Sequence, residues 1–176
     1  VTLDFDVPAT DSGLLILQKD NPSGLTENAD ELQIPVLFSH GESSTRTIKL
    51  YYYNEELDKD ESGNLACGRN GLMPVDREIP ISQTPIQDAI ELLLLGELTE
   101  SELSQGISTE YPLKGFSLNG ASLRNGILTL QFDDPDWKTG GGSCRVGILW
   151  FQIEATAKQF PEVTEVRFLP EELFQP

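Results

Sequence analysis

Few residues in this chain are of the types that nucleophilic catalysis or zinc binding requires. The sequence has one histidine, His40, and two cysteines, Cys67 and Cys144. A Ser-His-Asp or Cys-His device needs a histidine held rigidly by its neighbours. His40 instead opens a polar stretch, residues 40–45, that follows neither helical nor strand periodicity. Two cysteines and one histidine are too few for a zinc site without a carboxylate. We therefore interpret His40 as an exposed linker residue and discard hydrolase and zinc chemistry.

An acidic run, residues 58–64, has oxygen-bearing side chains at alternate positions and a glycine at the sixth. This arrangement is the first half of a calcium-binding loop. The twelfth position, where such a loop has a bidentate glutamate, is Arg69. The run also lies between two predicted strands rather than two helices. We therefore favour a solvated loop over a calcium site.

A glycine run, residues 140–142, precedes Ser143 at the start of a predicted helix, where free N–H groups attract anions. A phosphate-binding loop would follow a strand and would supply a lysine next to the serine or threonine. Cys144 and Arg145 follow Ser143 here. We interpret the run as a flexible turn into the helix.

A second acidic cluster consists of Asp133, Asp134 and Asp136 at the end of a predicted strand. Two carboxylates can hydrolyse a glycosidic bond when they face it from opposite sides. Spacing in the sequence does not show that these carboxylates face each other, and a turn is the simpler interpretation. An enzyme or ligand binder that uses carboxylates remains the alternative function.

The charge balance excludes two classes of partner. Lys and Arg number 12 against 29 Asp and Glu among 176 residues, which gives a net charge of −17. Nucleic acids and anionic membrane surfaces both require cationic patches on the protein that binds them. We expect neither as a partner, and no apolar run is long enough to span a membrane.

The elements that position these residues are clearest near the end of the chain. Apolar residues recur there at helical spacing, which predicts a long buried helix over residues 143–160, capped by Ser143 and ended by Pro161. The residues of its apolar face are Val146, Leu149, Trp150, Ile153, Ala157 and Phe160. Val166 and Phe168 alternate with polar residues in a strand that follows directly.

A second helix is predicted to begin at Thr84, with Pro85 at its first position and Gln87 completing a capping box. Its buried stripe comprises Ile86, Ala89, Ile90, Leu93 and Leu94, and Gly96 ends it. We expect Leu149, Trp150 and Ile153 of the long helix to pack against this stripe. Thr99 and Glu102 form a further capping box over a short helix.

Four further strands are predicted, in addition to the one that contains Val166 and Phe168. Residues 47–54 have the alternating pattern of a strand, with Ile48, Leu50 and Tyr52 on one face. The polar segment 55–71 connects this strand to the next, which is predicted over residues 72–79. Tyr51, Tyr52 and Tyr53 place aromatic rings on both faces of the first of these strands. One face belongs to the core, and the simpler interpretation is that other parts of the same chain cover the second face. Asn125-Gly126 predicts a two-residue hairpin, and Asn119-Gly120 predicts a bulge before it.

The order β-β-α-(α)-β-β-α-β predicts an α+β fold, with a single mixed sheet and two main helices on one face. Turn-forming residues interrupt short apolar runs in the first 40 residues, which indicates a β-rich N-terminal extension. We predict three regions: an extension and linker over 1–45, a domain over 46–170 and a C-terminal tail over 171–176.

Five stretches of the predicted domain resemble the GerMN domain, which is named from sporulation and spore germination proteins. They are T-I-K-L-Y-Y-Y, V-D-R-E-I-P, T-P-I-Q-D-A-I-E-L-L-L-L-G, L-R-N-G-I-L-T-L-Q-F and Q-F-P-E-V-T-E-V-R-F-L, in this order. The resemblance implies a compact α+β domain of envelope proteins, exported and often lipid-anchored, with no established catalytic activity. The 55–71 segment and the extension depart from the short family pattern.

The resemblance and the lack of a catalytic set together predict a non-enzymatic module of the cell envelope that binds or assembles with other proteins. We expect no catalytic residue, no cofactor and no metal. Its partners would be envelope proteins or cell-wall components. The module would lie outside the cytoplasm, either as part of a secreted protein or on a lipoprotein. The rival is an enzyme or ligand binder that acts on cell-wall or carbohydrate substrates.

An exported location also bears on Cys67 and Cys144. Two cysteines in an oxidising compartment usually pair, so we predict a disulfide between them that holds the 55–71 segment against the start of the long helix. The alternative is a free Cys144 thiolate, made acidic by the helix N-terminus.

Overall fold

The computed structural model describes residues 12–17, 32–37 and 44–175. The chain divides between Ser44 and Thr45 into two compact units, each described by itself. In the first unit, β1 (Ser12–Leu17) pairs antiparallel with β2 (Leu32–Leu37). These strands coincide with the two apolar runs in the predicted extension. Residues 1–11 of the predicted extension and the linker residue His40 lie outside the described residues.

The second unit has the predicted order of elements, which confirms the α+β fold. It comprises β3 (Thr45–Tyr53), β4 (Leu72–Pro80), α1 (Pro85–Leu94), α2 (Glu100–Ser104), β5 (Ser117–Arg124), β6 (Ile127–Asp133), α3 (Ser143–Lys158) and β7 (Glu165–Leu169). A short 3-10 turn, Glu55–Asp58, follows β3. The predicted bulge lies between Leu118 and Gly120, and Asn125 and Gly126 adopt positive φ in the hairpin turn.

The strands form two sheets where one was expected. β3 and β4 are antiparallel partners, while β5, β6 and β7 form a separate sheet in which β6 and β7 run parallel. The free edge of β3 is occupied by side chains. The amide groups of Lys49 and Tyr51 bond to Gln159 and Thr156 in and just after α3. Because these side chains satisfy the edge, no strand is needed there.

Prolines occupy two of the outward-facing positions on the outer edge of β4. Tyr51 lies opposite Pro74 in the register, and its N–H points away from β4 toward Thr156. Paired residues of an antiparallel ladder point their amides the same way, inward or outward together. Pro74 therefore faces outward, as does Pro80 opposite Thr45. Neither proline has an N–H, so the edge offers few donors to an added strand.

The core lies where α1 and α3 meet the two sheets, and α1 packs against α3, β3 and β5. Ile90, Leu93 and Ile153 are fully buried in one apolar cluster. Trp150 is only partly buried, and its ring packs edge-on against Phe168 of β7, with 5.4 Å between the ring centroids. It thus faces the second sheet as well as the core.

The predicted tail contributes to this core. Leu173 and Phe174 are almost fully buried, and the Phe174 ring meets Phe132 and Phe168 edge-on. The C-terminal residues therefore pack as part of the second unit.

The caps follow the predictions in part. Thr99 and Glu102 form the expected capping box on α2, and Gly96 closes α1 with a φ of +65°. The other predicted caps are not formed as expected. Thr84 makes no hydrogen bond to the α1 backbone; its hydroxyl donates to Asp88 instead, at 3.1 Å. Ser143 is the first residue of α3 rather than its cap, and the cap position is Gly142.

Candidate functional site

The acidic 58–64 run is held together by hydrogen bonds within its own loop. Asp58 is 2 % exposed and accepts hydrogen bonds from the Tyr53 hydroxyl and from Gly68 N, the latter at 2.7 Å. Asp60 accepts from the backbone N–H groups of Ser62 and Asn64, both at 2.8 Å. The hydrogen bond from Asn64 N lowers the pKa of Asp60. The two carboxylates therefore stabilise separate parts of the loop.

The second acidic cluster also organises a turn. The carboxylate of Asp134 accepts hydrogen bonds from Lys138 N, Thr139 N and the Thr139 hydroxyl, at 2.7–2.9 Å. Thr139 is 1 % exposed. These bonds support the interpretation of the cluster as a turn, because one carboxylate is fully engaged with the backbone that follows it.

The glycine run lies beside an arginine of the chain's own helix. Arg145 donates to the Gly140 carbonyl and to Glu110 Oε2, the latter at 2.7 Å. Gly141 has a φ of +141°, which side chains rarely adopt. This geometry supports the interpretation as a turn into α3.

The cysteines lie where the 55–71 segment meets α3. Their Cα atoms are 5.1 Å apart and their Sγ atoms 2.02 Å apart. The Arg69 guanidinium lies 4.1 Å from the centre of the Phe151 ring and 2.5 Å from Glu154 Oε2. Glu154 also pairs with Lys158. This placement supports the predicted disulfide, which stays a prediction about the protein in its own compartment.

The three tyrosines are covered within the chain. Tyr52 is fully buried and Tyr53 nearly so, whereas Tyr51 is half-buried. Burial raises the pKa of Tyr52 to about 12. Burial and the hydrogen bond to Asp58 also raise the pKa of Tyr53. The second face of β3 is therefore covered by the 55–71 segment at Tyr53, while Thr47 and Lys49 on the same face are exposed.

A feature that the sequence analysis missed is a second stripe along α1, which is partly exposed and borders the core. Three residues of α1 and the residue that follows it recur at the i, i+3, i+4, i+7 spacing of one helical stripe: Asp88, Glu91, Leu92 and Leu95. Together with the buried Ile79 and the exposed Pro80 at the end of β4, and Ser82 just after it, they line a shallow, open groove of about 510 Å³. We call this groove the α1 groove.

The α1 groove combines exposed apolar side chains with acidic ones. Leu95 is 52 % exposed, and Ile81, next to the lining residues, is 55 % exposed. Asp88 is held by the hydroxyls of Ser82 and Thr84. The signal in the sequence was the run of four leucines, 92–95. Leu93 and Leu94 lie in the core, Leu92 is partly buried at its margin, and Leu95 is left exposed.

Two other clefts bear on the alternative of an enzyme. Glu55 and Glu110 line a small cleft of about 120 Å³, and Glu110 is already paired with Arg145. This volume is below the range of ligand pockets. A cleft of about 430 Å³ beside Trp150 and β7 has Arg167 and Glu171 at its polar side. Within the described residues, no group of three or more metal-binding side chains is found.

The comparisons with known proteins show the family and the fold of the chain. The family described as sporulation and spore germination (Germane) matches residues 49–172, so the chain belongs to this family. The fold is similar to that of the tandem GerMN domains of the sporulation protein GerM from Bacillus subtilis. Identity to that structure is 20 %, the TM-score 0.51, and the match covers 74 % of this chain. The chain spans 41 % of the length of that structure.

The first GerMN domain of the same B. subtilis protein is matched over 70 % of this chain and 80 % of its own length, with 16 % identity and a TM-score of 0.48. No curated protein matches the chain. Among the helices of the described residues, none has the length and apolar character needed to cross a membrane.

Proposed function

We propose that this chain is a non-enzymatic module of the cell envelope that binds or assembles with other proteins outside the cytoplasm. The α1 groove is the observation that carries the proposal. An exposed leucine such as Leu95, beside the exposed Pro80 and the partly buried Leu92, is typical of a surface that another protein covers. Membership of the sporulation and germination family supports an envelope location.

We propose residues 46–170 as the functional domain, with residues 1–45 as an extension. The acidic clusters support a binding module over the alternative enzyme, because Asp58, Asp60 and Asp134 stabilise the chain's own loops. A carboxylate-dependent enzyme would need two such groups facing an enclosed substrate site. No cofactor or metal enters the proposed function.

A photo-crosslinking amino acid at position 95 tests the proposal in cells that produce the chain. We expect a discrete crosslinked product with an envelope protein. The matched control is position 57, because Leu57 is also 52 % exposed. It follows the C-terminal end of β3, whereas the α1 groove lies beside the last residues of β4, which pair with the first residues of β3. Crosslinks of equal yield and pattern at both positions, or no product at position 95, would contradict the proposal.

A further inference from the structure

We infer that the α1 groove binds an amphipathic helix of another protein, with an apolar stripe flanked by lysines or arginines. The inference rests on the proposed binding function and adds the chemistry of the partner. Three features carry it: the helical spacing of the lining residues, the prolines that interrupt the edge of the neighbouring strand and the sign of the charges.

The groove has the form that a helix fits. Its α1 side spans residues 88–95, about 10 Å along the helix axis at 1.5 Å per residue. A stripe at i, i+3, i+4 and i+7 is the ridge that a second helix packs against. The exposed Leu95 and the partly buried Leu92 form the apolar part of that ridge, and the exposed Pro80 lies on the β4 side of the groove. Apolar anchors of a bound helix would fill the space between them.

The strand beside the groove disfavours an extended partner. An added strand needs backbone N–H and C=O groups along the outer edge of β4. That edge has Pro74 and Pro80, which lack N–H groups. A helix satisfies its own backbone hydrogen bonds and needs only side-chain contacts.

The charges determine which helix fits. Asp88 and Glu91 lie on the stripe, and none of the seven lining residues is Lys or Arg. The hydroxyls of Ser82 and Thr84 hold Asp88 in place before any partner arrives. A second copy of this chain would bring acidic residues together, since the same stripe would face itself. The partner is therefore a different protein with basic residues beside its apolar stripe.

A synthetic peptide tests this inference with the full chain. The probe is a helical peptide of about 16 residues with leucines at i, i+3, i+4 and i+7 and lysines beside them. A second peptide has glutamates in place of the lysines, and a third has the composition of the first in scrambled order. We expect binding of the first peptide, measured by fluorescence anisotropy, to be at least tenfold tighter than that of the other two.

Substitutions in the chain locate the binding surface. Leu95→Ser should weaken binding of the lysine peptide about tenfold, as the loss of an interface anchor does. Leu57→Ser, at an equally exposed leucine, should leave it within twofold. Glu91→Lys should weaken binding about tenfold, whereas Glu172→Lys makes the same charge change at an exposed position outside the groove and should have a small effect. Circular dichroism and thermal melts identify any variant that fails to fold.

Two results would overturn the inference. One is equal binding of the lysine peptide and its scrambled form. The other is equal effects of Leu95→Ser and Leu57→Ser in folded variants. If a partner still crosslinks specifically at position 95, the proposed binding function stands and only the helical, basic partner is wrong. If position 95 gives no crosslink in cells, the proposed function itself fails.

Discussion

Gln159, just after helix α3, takes the place of a neighbouring strand for Lys49 of β3. Its Oε1 accepts a hydrogen bond from Lys49 N at 2.7 Å, and its Nε2 donates to Lys49 O at 2.6 Å. One side-chain amide thus satisfies both backbone groups of an edge residue, as a paired strand would. Thr156 does the same for Tyr51 N, at 3.0 Å. This contact ties the helix to the β3–β4 hairpin.

Replacing Gln159 by Ala should lower the free energy of unfolding by about 1–2 kcal/mol, because two hydrogen bonds are lost at a partly exposed site. Chemical denaturation measures this change. The amide of Lys49 should also exchange faster with solvent deuterium than in the parent chain. Gln175→Ala, which removes an exposed amide from the chain's end, serves as the control. An unchanged exchange rate at Lys49 would contradict the role of Gln159.

The sequence predicted the order of elements because each has strong local signals. The stripe at Ile86, Ala89 and Ile90 has helical spacing. Asn125-Gly126 predicts a hairpin turn by itself, because both residues tolerate positive φ. The separation into two sheets had no such signal. It depends on Gln159 reaching Lys49 across 110 positions of the chain, and a glutamine after a helix is not distinguishable from any exposed polar residue.

The candidate site was missed for a related reason. Leu92 and Leu95 belong to a run of four leucines, and the predicted buried stripe included only Leu93 and Leu94, with no role assigned to the other two. Only the direction of each side chain separates the buried Leu93 and Leu94 from the exposed Leu95. Competing hydrogen bonds near the start of α1 also determined which predicted caps form. Asp88 binds the hydroxyls of Ser82 and Thr84, so Thr84 does not cap α1.

Ile153 is fully buried where α3 crosses the core. Ile153→Ala should lower the free energy of unfolding by about 2–5 kcal/mol, because contacts are lost and a cavity remains. Urea denaturation gives the value. Ile148→Ala, at a partly exposed position of the same helix, should cost less. A loss below about 0.5 kcal/mol for Ile153→Ala would show that the side chain does not pack in the core.

Glu102 of α2 is expected to make stability depend on pH. Arg77 donates two hydrogen bonds to its carboxylate, each 2.7 Å long, and these lower the pKa of Glu102 from 4.5 to about 2. A carboxyl group whose pKa is lower in the folded state stabilises that state above its unfolded pKa. The contribution is therefore present above about pH 4.5 and is lost as the pH falls toward 2.

Glu102→Gln should lower the free energy of unfolding at pH 7 by about 1–3 kcal/mol, the usual worth of hydrogen bonds to charged groups. The difference from the parent chain should shrink as the pH falls from 4.5 to 2. Glu100→Gln, on the same short helix, should show little difference at any pH. A difference that is the same at pH 3 and pH 7 would contradict the role of the Arg77 ion pair.

Calcium should not stabilise the 55–71 segment. The Oδ1 atom of Asp60 already accepts hydrogen bonds from Ser62 N and Asn64 N. Asp58 is buried and accepts hydrogen bonds from the Tyr53 hydroxyl and from Gly68 N. Specific binding to the folded state would raise the melting temperature. We expect the same melting temperature in millimolar calcium and in chelator. A rise of several degrees that disappears in Asp58→Ala and Asp60→Ala would show that a calcium site exists.

The disulfide between Cys67 and Cys144 should be present in protein recovered from its native compartment. The bond would close a loop with a sequence separation of 77 residues, for which chain-entropy models give an upper value of about 4 kcal/mol. It would fix the 55–71 segment beside Arg69, which already contacts Phe151 and Glu154 of α3. Peptide mass mapping without reductant detects the linked peptides directly.

Replacing both cysteines by serine should lower the free energy of unfolding by about 2–4 kcal/mol and should make the 55–71 segment more sensitive to protease. Adding reductant to the parent chain should reproduce both effects, and adding it to the double variant should change neither. Arg69→Ala in the oxidised chain separates the contribution of the Glu154 ion pair from that of the covalent bond. Free thiols at both positions in protein from its native compartment would show that the disulfide is wrong, and they would weaken the proposed envelope location as well, because an oxidising compartment is the reason to expect the pair to be bonded.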